Sequence, residues 1–325
     1  MRNTAPELEL DAYLRLNRAS LAEWLAAIRE LSGCYDIECT LFEGNGHQVG
    51  ALSTLATESG RLICLHATEG MEIAGCRATA PVFLLPRAGK PEIATRDEPW
   101  QCLNQLVLAW PEDRFRLRLP PEASVLILRL EPETSAPTSL DCSDDSLSTY
   151  EELITCYLHR SPFFRDDAHA ISKTDELFRK LTLSSTQVVQ SCKCPKLDRR
   201  LHRAIEKIRD EPGWDFNLQE LASHSGVSER NLYYLMKRET GMTPYRLYQR
   251  NRLLRVRQRL VDCQCDVPHI SWYAADAGFS HLGRFAALYR EHFGELPSET
   301  VQWRRNLQGR GTGKPIVDEP DLLLS

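Results

Sequence analysis

Between residues 8 and 32 apolar side chains recur at intervals of three and four: Leu21, Trp24, Leu25, Ile28 and Leu31. That period puts them on one helical face and Gly33 supplies a stop, so the spacing predicts a helix over 8–32. Beyond Asp36 the pattern changes to short apolar runs: Ile37–Phe42, Leu62–Leu65, Val82–Leu85, Leu103–Leu108 and Val125–Leu130. Turn residues punctuate them, among them Gly44-Asn45-Gly46, Gly70, Gly75, Pro86, Gly89, Pro91 and Pro120-Pro121. Short strands with regular turns predict a β-barrel or sandwich. The stretch from Glu131 to Ser148 is polar and rich in Pro and Ser, a linker composition. Helical patterning resumes over 149–190 (Leu153, Ile154, Tyr157, Leu158, then Leu177, Phe178, Leu181), with a second polar boundary at Ser184–Cys194. From Leu197 to about Arg305 every segment reads as helix. The remainder, 308–325, has glycines, prolines and no period, and is expected to be disordered.

Within the last helical stretch one local grammar occurs twice. A helix-turn-helix needs a small residue in its first helix, a Gly four residues later at the turn, and an apolar residue next. Asn217–Met236 supplies Ala222, Gly226 and Val227. The small Ala allows close approach of the second helix, and Gly accepts the left-handed turn. Asn217 with Glu220 reads as a capping box for the first helix, and Ser228 as the cap of the second. Leu232, Leu235 and Met236 are expected to face the core, leaving Glu229, Arg230, Tyr233, Tyr234 and Lys237 outward. Ala274, Gly278 and Phe279 repeat the set 52 residues later. Ser280 is the expected cap of that second helix, with Phe285, Leu288 and Tyr289 inward and His281, Leu282 and Arg284 outward. A single match is weak, because helical hairpins with Ala and Gly are common; two in one segment argue against a plain helical bundle. Thr243-Pro244 opens a connecting helix to about Asp262, with Leu253, Val256 and Leu260 on one face. Twenty residues span roughly 30 Å, close to one turn of B-DNA at about 34 Å. The connector also carries Arg246, Arg250, Arg252, Arg255, Arg257 and Arg259. They read either as a solvated face or as a set that includes phosphate contacts.

Charge sharpens this picture. Over 325 residues the chain carries 40 Lys+Arg and 45 Asp+Glu, a net of −5. Residues 195–310 hold 20 basic against 14 acidic side chains, a net of +6, leaving 20 against 31, a net of −11, elsewhere. A basic C-terminal part on an acidic remainder suggests a polyanion partner for one part only. A composition 42% hydrophobic and 26% charged excludes wholesale disorder, and no run of 18 apolar residues predicts a spanning helix. No signal peptide is visible, so the expected compartment is the cytoplasm. The eleven cysteines are odd in number and scattered, and read as reduced, packed thiols rather than a disulfide framework.

The residues Gly278–Thr300 (GFSHLGRFAALYREHFGELPSET) resemble the signature of the AraC/XylS family of bacterial transcription regulators, through Gly278-Phe279, Phe285, Tyr289, Phe293-Gly294 and Pro297. The first half agrees at Leu221-Ala222, Gly226-Val227-Ser228, Leu232 and Gly241-Met242-Thr243-Pro244. The resemblance covers about Leu197–Arg305, and His281–Phe285 is most similar to the XylS/BenR-like branch. The N-terminal part resembles that branch more loosely, with Pro81–Ile93 (PVFLLPRAGKPEI) in a cupin-like barrel. The resemblance implies an α+β chain: a cupin-like sensing barrel with flanking helices over 1–148, a helical dimerisation or linker region over 149–194, and an all-α DNA-binding domain with two helix-turn-helix units over 195–307. It implies a transcription regulator and not an enzyme, an activator gated by a small-molecule effector such as an aromatic or other carboxylic acid, or one controlled by a partner protein instead. Expected partners are double-stranded DNA, RNA polymerase and a second copy of the chain, with no cofactor. The helices of 149–190 read equally as a pairing surface or as intrachain core. Carried over by position, the base readers are Arg230, Tyr233 and Tyr234, then His281, Leu282, Gly283 and Arg284. Arg reads guanine bidentately and Leu touches the thymine methyl, whereas Tyr packs or bonds phosphate and glycine at 283 removes a reader. Ser228, Lys237, Arg246, Arg250 and Ser280 are the phosphate candidates, and Ala222, Gly226, Ala274 and Gly278 the structural positions of the turns.

Other chemistry finds little support. Cys192-x-Cys194 and Cys263-x-Cys265 have the wrong spacing for structural zinc. His47 and His66 stand alone, so no cupin metal cluster is expected. Gly309–Lys314 lacks the spacing of a phosphate loop.

Overall fold

The computed structural model describes residues 10–95, 98–131, 143–182, 197–265 and 267–311. Its N-terminal part is a barrel-like pair of antiparallel sheets that share one core. The strands are β1 (Leu14–Ala19), β2 (Glu38–Glu43), β3 (Gly50–Ala56), β4 (Gly60–Ala67), β5 (Gly70–Arg77), β6 (Val82–Ala88), β7 (Glu92–Thr95), β8 (Gln101–Cys102), β9 (Val107–Ala109), β10 (Arg114–Leu119) and β11 (Ser124–Leu130). One sheet runs β1-β3-β4-β11-β6-β9, the other β2-β5-β10-β7-β8. Leu52, Leu65, Met71, Ile73, Leu84, Leu117 and Val125 meet in a core shared with Trp24, Ala27 and Ile28.

Two sequence expectations need correction here. The helix predicted over 8–32 begins only at Leu21, as α1 (Leu21–Ser32). Leu14 and Leu16 are buried while Arg15 between them and Asn17 after them are half-buried, the alternation of a strand. Ser20 then starts the helix: its side chain accepts from the Glu23 N–H, and the Glu23 carboxylate takes the Ser20 N–H at 2.9 Å. The run Leu103–Leu108 is mostly loop. The Leu103 N–H donates to the Pro91 carbonyl and the Leu106 N–H to the Glu151 carboxylate, so both buried leucines are satisfied without a strand partner.

Helices α2 (Asp144–Arg160) and α3 (Asp167–Thr182) cover the outer face of the larger sheet. α2 starts five residues before the expected boundary at 149, because Ser143 caps it and Asp144 and Asp145 suit the positive end of the helix. Tyr150, Ile154, Leu177 and Phe178 are buried with Leu62, Phe83, Leu126 and Leu128. The apolar stripe of these helices is therefore intrachain core. The polar boundary at 184–194 lies outside the described residues.

The C-terminal part is all helical: α4 (Arg199–Asp210), α5 (Leu218–Ser225), α6 (Glu229–Thr240), α7 (Pro244–Val261), α8 (Ile270–Asp276), α9 (Leu282–Phe293) and α10 (Pro297–Gly311). Helix α10 runs into the segment expected to be disordered, of which 312–325 lies outside the described residues. Two different cores serve the two helix-turn-helix units. Leu201, Ala204, Ile208, Leu221, Ala222, Leu232, Met236, Met242 and Leu247 form one of their own. Leu253, Val256, Leu260, Ala274, Phe279, Phe285, Tyr289 and Phe293 instead join the cluster of Phe83, Tyr150 and Phe178 under α2 and α3.

Candidate nucleic-acid interface

In the first unit the turn is made by Gly226 at φ 72°, with the Val227 N–H returning to the Ala222 carbonyl at 3.1 Å. Ala222 is buried where α5 meets α6. Asn217 caps α5 by accepting the Glu220 N–H at 3.0 Å. The expected capping box does not close, because Glu220 turns to the Trp214 indole N–H at 3.0 Å and to Lys207 at 3.0 Å. Those two donors hold Glu220 below the usual carboxylate range. Trp214, Phe216, Tyr245 and Tyr248 meet edge-on or tilted in a cluster that packs the approach to α5 onto α7. Sequence patterning missed this cluster, since its members come from two segments about thirty residues apart and share no period.

Ser228 caps α6 by accepting the Asn231 N–H. Leu232, Leu235 and Met236 are buried. Arg230 is exposed, with Tyr233 43% and Tyr234 59% exposed beside it. The Arg230 guanidinium lies 5.7 Å from the Tyr234 ring centre. Lys237 is exposed and donates to the Gly241 carbonyl, so it sits at the carboxyl end of its own helix.

The second unit repeats the turn. Gly278 has φ 80°, the Phe279 N–H returns to the Ala274 carbonyl at 2.9 Å, and Ala274 is fully buried. Phe285 and Tyr289 are buried and Leu288 is half-buried. His281, Leu282, Gly283 and Arg284 are exposed, Leu282 to 49%. The expected cap is displaced: His281, not Ser280, occupies the cap of α9, in an extended backbone (φ −121°, ψ 105°), and its side chain makes no capping bond. Ser280 lies one residue outside, too early to reach the first helical N–H groups.

The connector α7 has 18 residues, about 27 Å of rise. Thr243 caps it by accepting the Arg246 N–H. Its arginines correct the sequence reading most. Arg250 is 4% exposed and its Nε donates to the Phe164 carbonyl at 3.1 Å, so it cannot reach a phosphate. Arg252 donates to the Ala277 carbonyl and lies over Phe279, and Arg255 donates to the Ile208 and Arg209 carbonyls. Arg257 is buried against Glu295 at 2.8 Å, and Arg259 pairs with Asp276. Arg246 is partly exposed and pairs with Glu291 at 2.7 Å. The row of arginines is chiefly mortar between helices. Its planar donor fork suits carbonyls that α7 meets on several sides.

The geometry so defined is a domain of two helix-turn-helix units, each presenting a polar and aromatic helix face. A family profile described as a helix-turn-helix domain matches residues 221–302. Over 113 residues the chain is 40% identical to XylDLEGF operon transcriptional activator 3 of Pseudomonas putida, covering 34% of this chain and 33% of that protein. It is 27% identical over 138 residues to the HTH-type transcriptional activator RhaS of Klebsiella pneumoniae, covering 42% of this chain and 49% of that one. Among solved structures, a probable AraC family transcriptional regulator from Rhodopseudomonas palustris is 30% identical, covering 32% of this chain and 96% of that one, with a TM-score of 0.30. Over residues 221–302 the chain carries the helix-turn-helix domain of that profile, and its C-terminal part is similar to transcription activators of the AraC/XylS type. The chain matches about a third to a half of the length of these curated relatives. No helix among the described residues is long and apolar enough to cross a membrane.

Proposed function

We propose that the chain is a sequence-specific DNA-binding transcription activator that reads two successive major grooves with α6 and α9. The observation that carries this reading is the duplicated unit: two glycine turns present exposed helix faces, and one helix of 18 residues, about 27 Å of rise, joins them. Arg230 and Arg284 are the guanine readers, Leu282 contacts a thymine methyl, and His281 bonds a base edge. Tyr233 and Tyr234 pack against sugar or bond phosphate, and Gly283 leaves room for close backbone approach. Ser228, Lys237, Ser280 and the exposed part of Arg246 serve the phosphates; Arg250 no longer belongs with them. The cupin-like part senses a small molecule, an aromatic or other carboxylic acid in this reading, and the protein acts in the cytoplasm as a homodimer with RNA polymerase. The printed names of the relatives, activators of the XylDLEGF operon and RhaS, support the activator half of the proposal.

The test is fluorescence anisotropy on a duplex selected from a random pool by the protein itself. Arg284→Ala should weaken binding by about 1–3 kcal/mol and relax one base position. Unchanged specific binding by Arg230→Ala, Arg284→Ala together would overturn the reader assignment. Thermal shifts with a panel of aromatic acids, set against capture of a protein partner, decide what the barrel senses.

A further inference from the structure

The two helix-turn-helix units stand in different relations to the barrel. The first packs on its own core, which the N-terminal part touches through Phe163. Among the described residues the second has no separate core: Ala274, Phe279, Phe285, Tyr289 and Phe293 continue the cluster that α2 and α3 make with the larger sheet. Trp303 and Leu307 of α10 join the opposite core, beside Trp24 of α1.

A buried polar seam runs along the same junction. The Glu23 carboxylate, from the first turn of α1, grips the Arg304 guanidinium of α10 at 2.7 and 3.0 Å. The remaining Arg304 nitrogen donates to the Asn17 carbonyl of β1 and the Val261 carbonyl at the end of α7, at 3.3 and 3.1 Å. Both side chains are almost wholly buried, Arg304 at 2% exposure and Glu23 at 7%. Beside them Glu295, in the α9–α10 turn, is held by Arg15 of β1 and by Arg257. Burial alone would raise the Glu295 carboxyl; the two arginines outweigh it and keep the group below its ordinary range. Thr300 links Glu295 to the Tyr289 hydroxyl at 2.7 and 2.8 Å, and Tyr289 lies on α9 itself.

We propose that Glu23 is a positioning residue for the second recognition helix: through Arg304 it fixes α10 and α9 against the barrel, so that the barrel acts on DNA through the second unit and not the first. The proposal rests on the DNA-binding reading above. A buried guanidinium held by one carboxylate and two carbonyls has one preferred seat, and removing the carboxylate leaves an uncompensated charge inside. A planar fork bonded to three separate elements also fixes orientation, which a point charge would not.

The variant is Glu23→Gln, which retains the capping partner of Ser20 because Gln serves at that position, while losing the charge opposite Arg304. Two readouts on the full chain are compared with wild type. Hydrogen exchange should speed at least tenfold over 282–307 and stay unchanged over 218–240. On the selected duplex, base changes in the half read by α9 should lose most of their effect, and changes in the half read by α6 should keep theirs. Arg304→Met should reproduce both results. Equal changes in both units, or none in either, would overturn the proposal. A wild-type protein that selects no duplex at all would overturn the DNA reading instead, and the exchange comparison would still judge the Glu23–Arg304 link.

Discussion

Placing a methyl group on each turn glycine separates backbone strain from packing, because the two turns share a conformation but not their surroundings. Gly226 and Gly278 have φ of 72° and 80°. An L-residue in that region costs about 1–2 kcal/mol. At Gly226 the nearest atom to an added Cβ is an Arg203 nitrogen at 3.8 Å, ordinary contact, so Gly226→Ala should cost only the strain. At Gly278 an added Cβ lies 2.5 Å from an Arg252 nitrogen. The Arg252 side chain must then move, giving up its bond to the Ala277 carbonyl and its place over Phe279 at 4.4 Å. A hydrogen bond from a charged group contributes about 1.5–3 kcal/mol, and a cation over an aromatic ring about 0.5–1 kcal/mol at an exposed site. Allowing for partial re-pairing with water, Gly278→Ala should cost about 3–4 kcal/mol, roughly twice the cost at Gly226. Urea unfolding gives the totals, and hydrogen exchange over 218–240 and 270–293 locates the loss. In an Arg252→Ala background the Gly278→Ala cost should fall to that of Gly226→Ala. Equal costs in the wild-type background, or a difference that survives Arg252→Ala, would refute the reasoning.

Arg250→Ala should lower stability by about 1.5–3 kcal/mol and leave the salt dependence of DNA binding unchanged, since Arg250 bonds Phe164 inside the protein; a shallower salt slope in anisotropy titrations would contradict this. His292 is buried with neither ring nitrogen bonded among the described residues, and burial, then the charges of Arg250 and Arg246, push it down to about 4. Unfolded chains take up this proton near pH 6.5 and the folded state only near 4, so stability should fall by about 3 kcal/mol as pH drops through that window. Urea midpoints of His292→Phe should lose that part of the acid sensitivity, and a variant as acid-sensitive as wild type would count against the assignment.

How much was legible in the sequence follows from the range of each interaction. The glycine turns depend on residues four or five apart, so Ala222, Gly226, Ala274 and Gly278 announce themselves in any window that spans them. Strand β1 was hidden because Leu14 and Leu16 adjoin the helical stripe of Leu21–Leu31, and only the Ser20–Glu23 box divides the two. Ser280 was misplaced by analogy with Ser228: the second helix starts one residue later relative to its turn. The arginines of α7 show their charge in the sequence but not their partners. Arg250 meets a carbonyl 86 residues away, and Arg304 meets Glu23 across 281 residues. Whether such a side chain faces water or a buried acceptor depends on how distant elements dock, and no local period carries that information.

In the proposed function α6 and α9 enter successive major grooves from one side of the duplex. Methylation protection of guanine N7 on the selected duplex tests it directly. Two protected patches about 10–10.5 base pairs apart are expected, one lost with Arg230→Ala and the other with Arg284→Ala. A single patch, or two patches on opposite faces of the duplex, would contradict it.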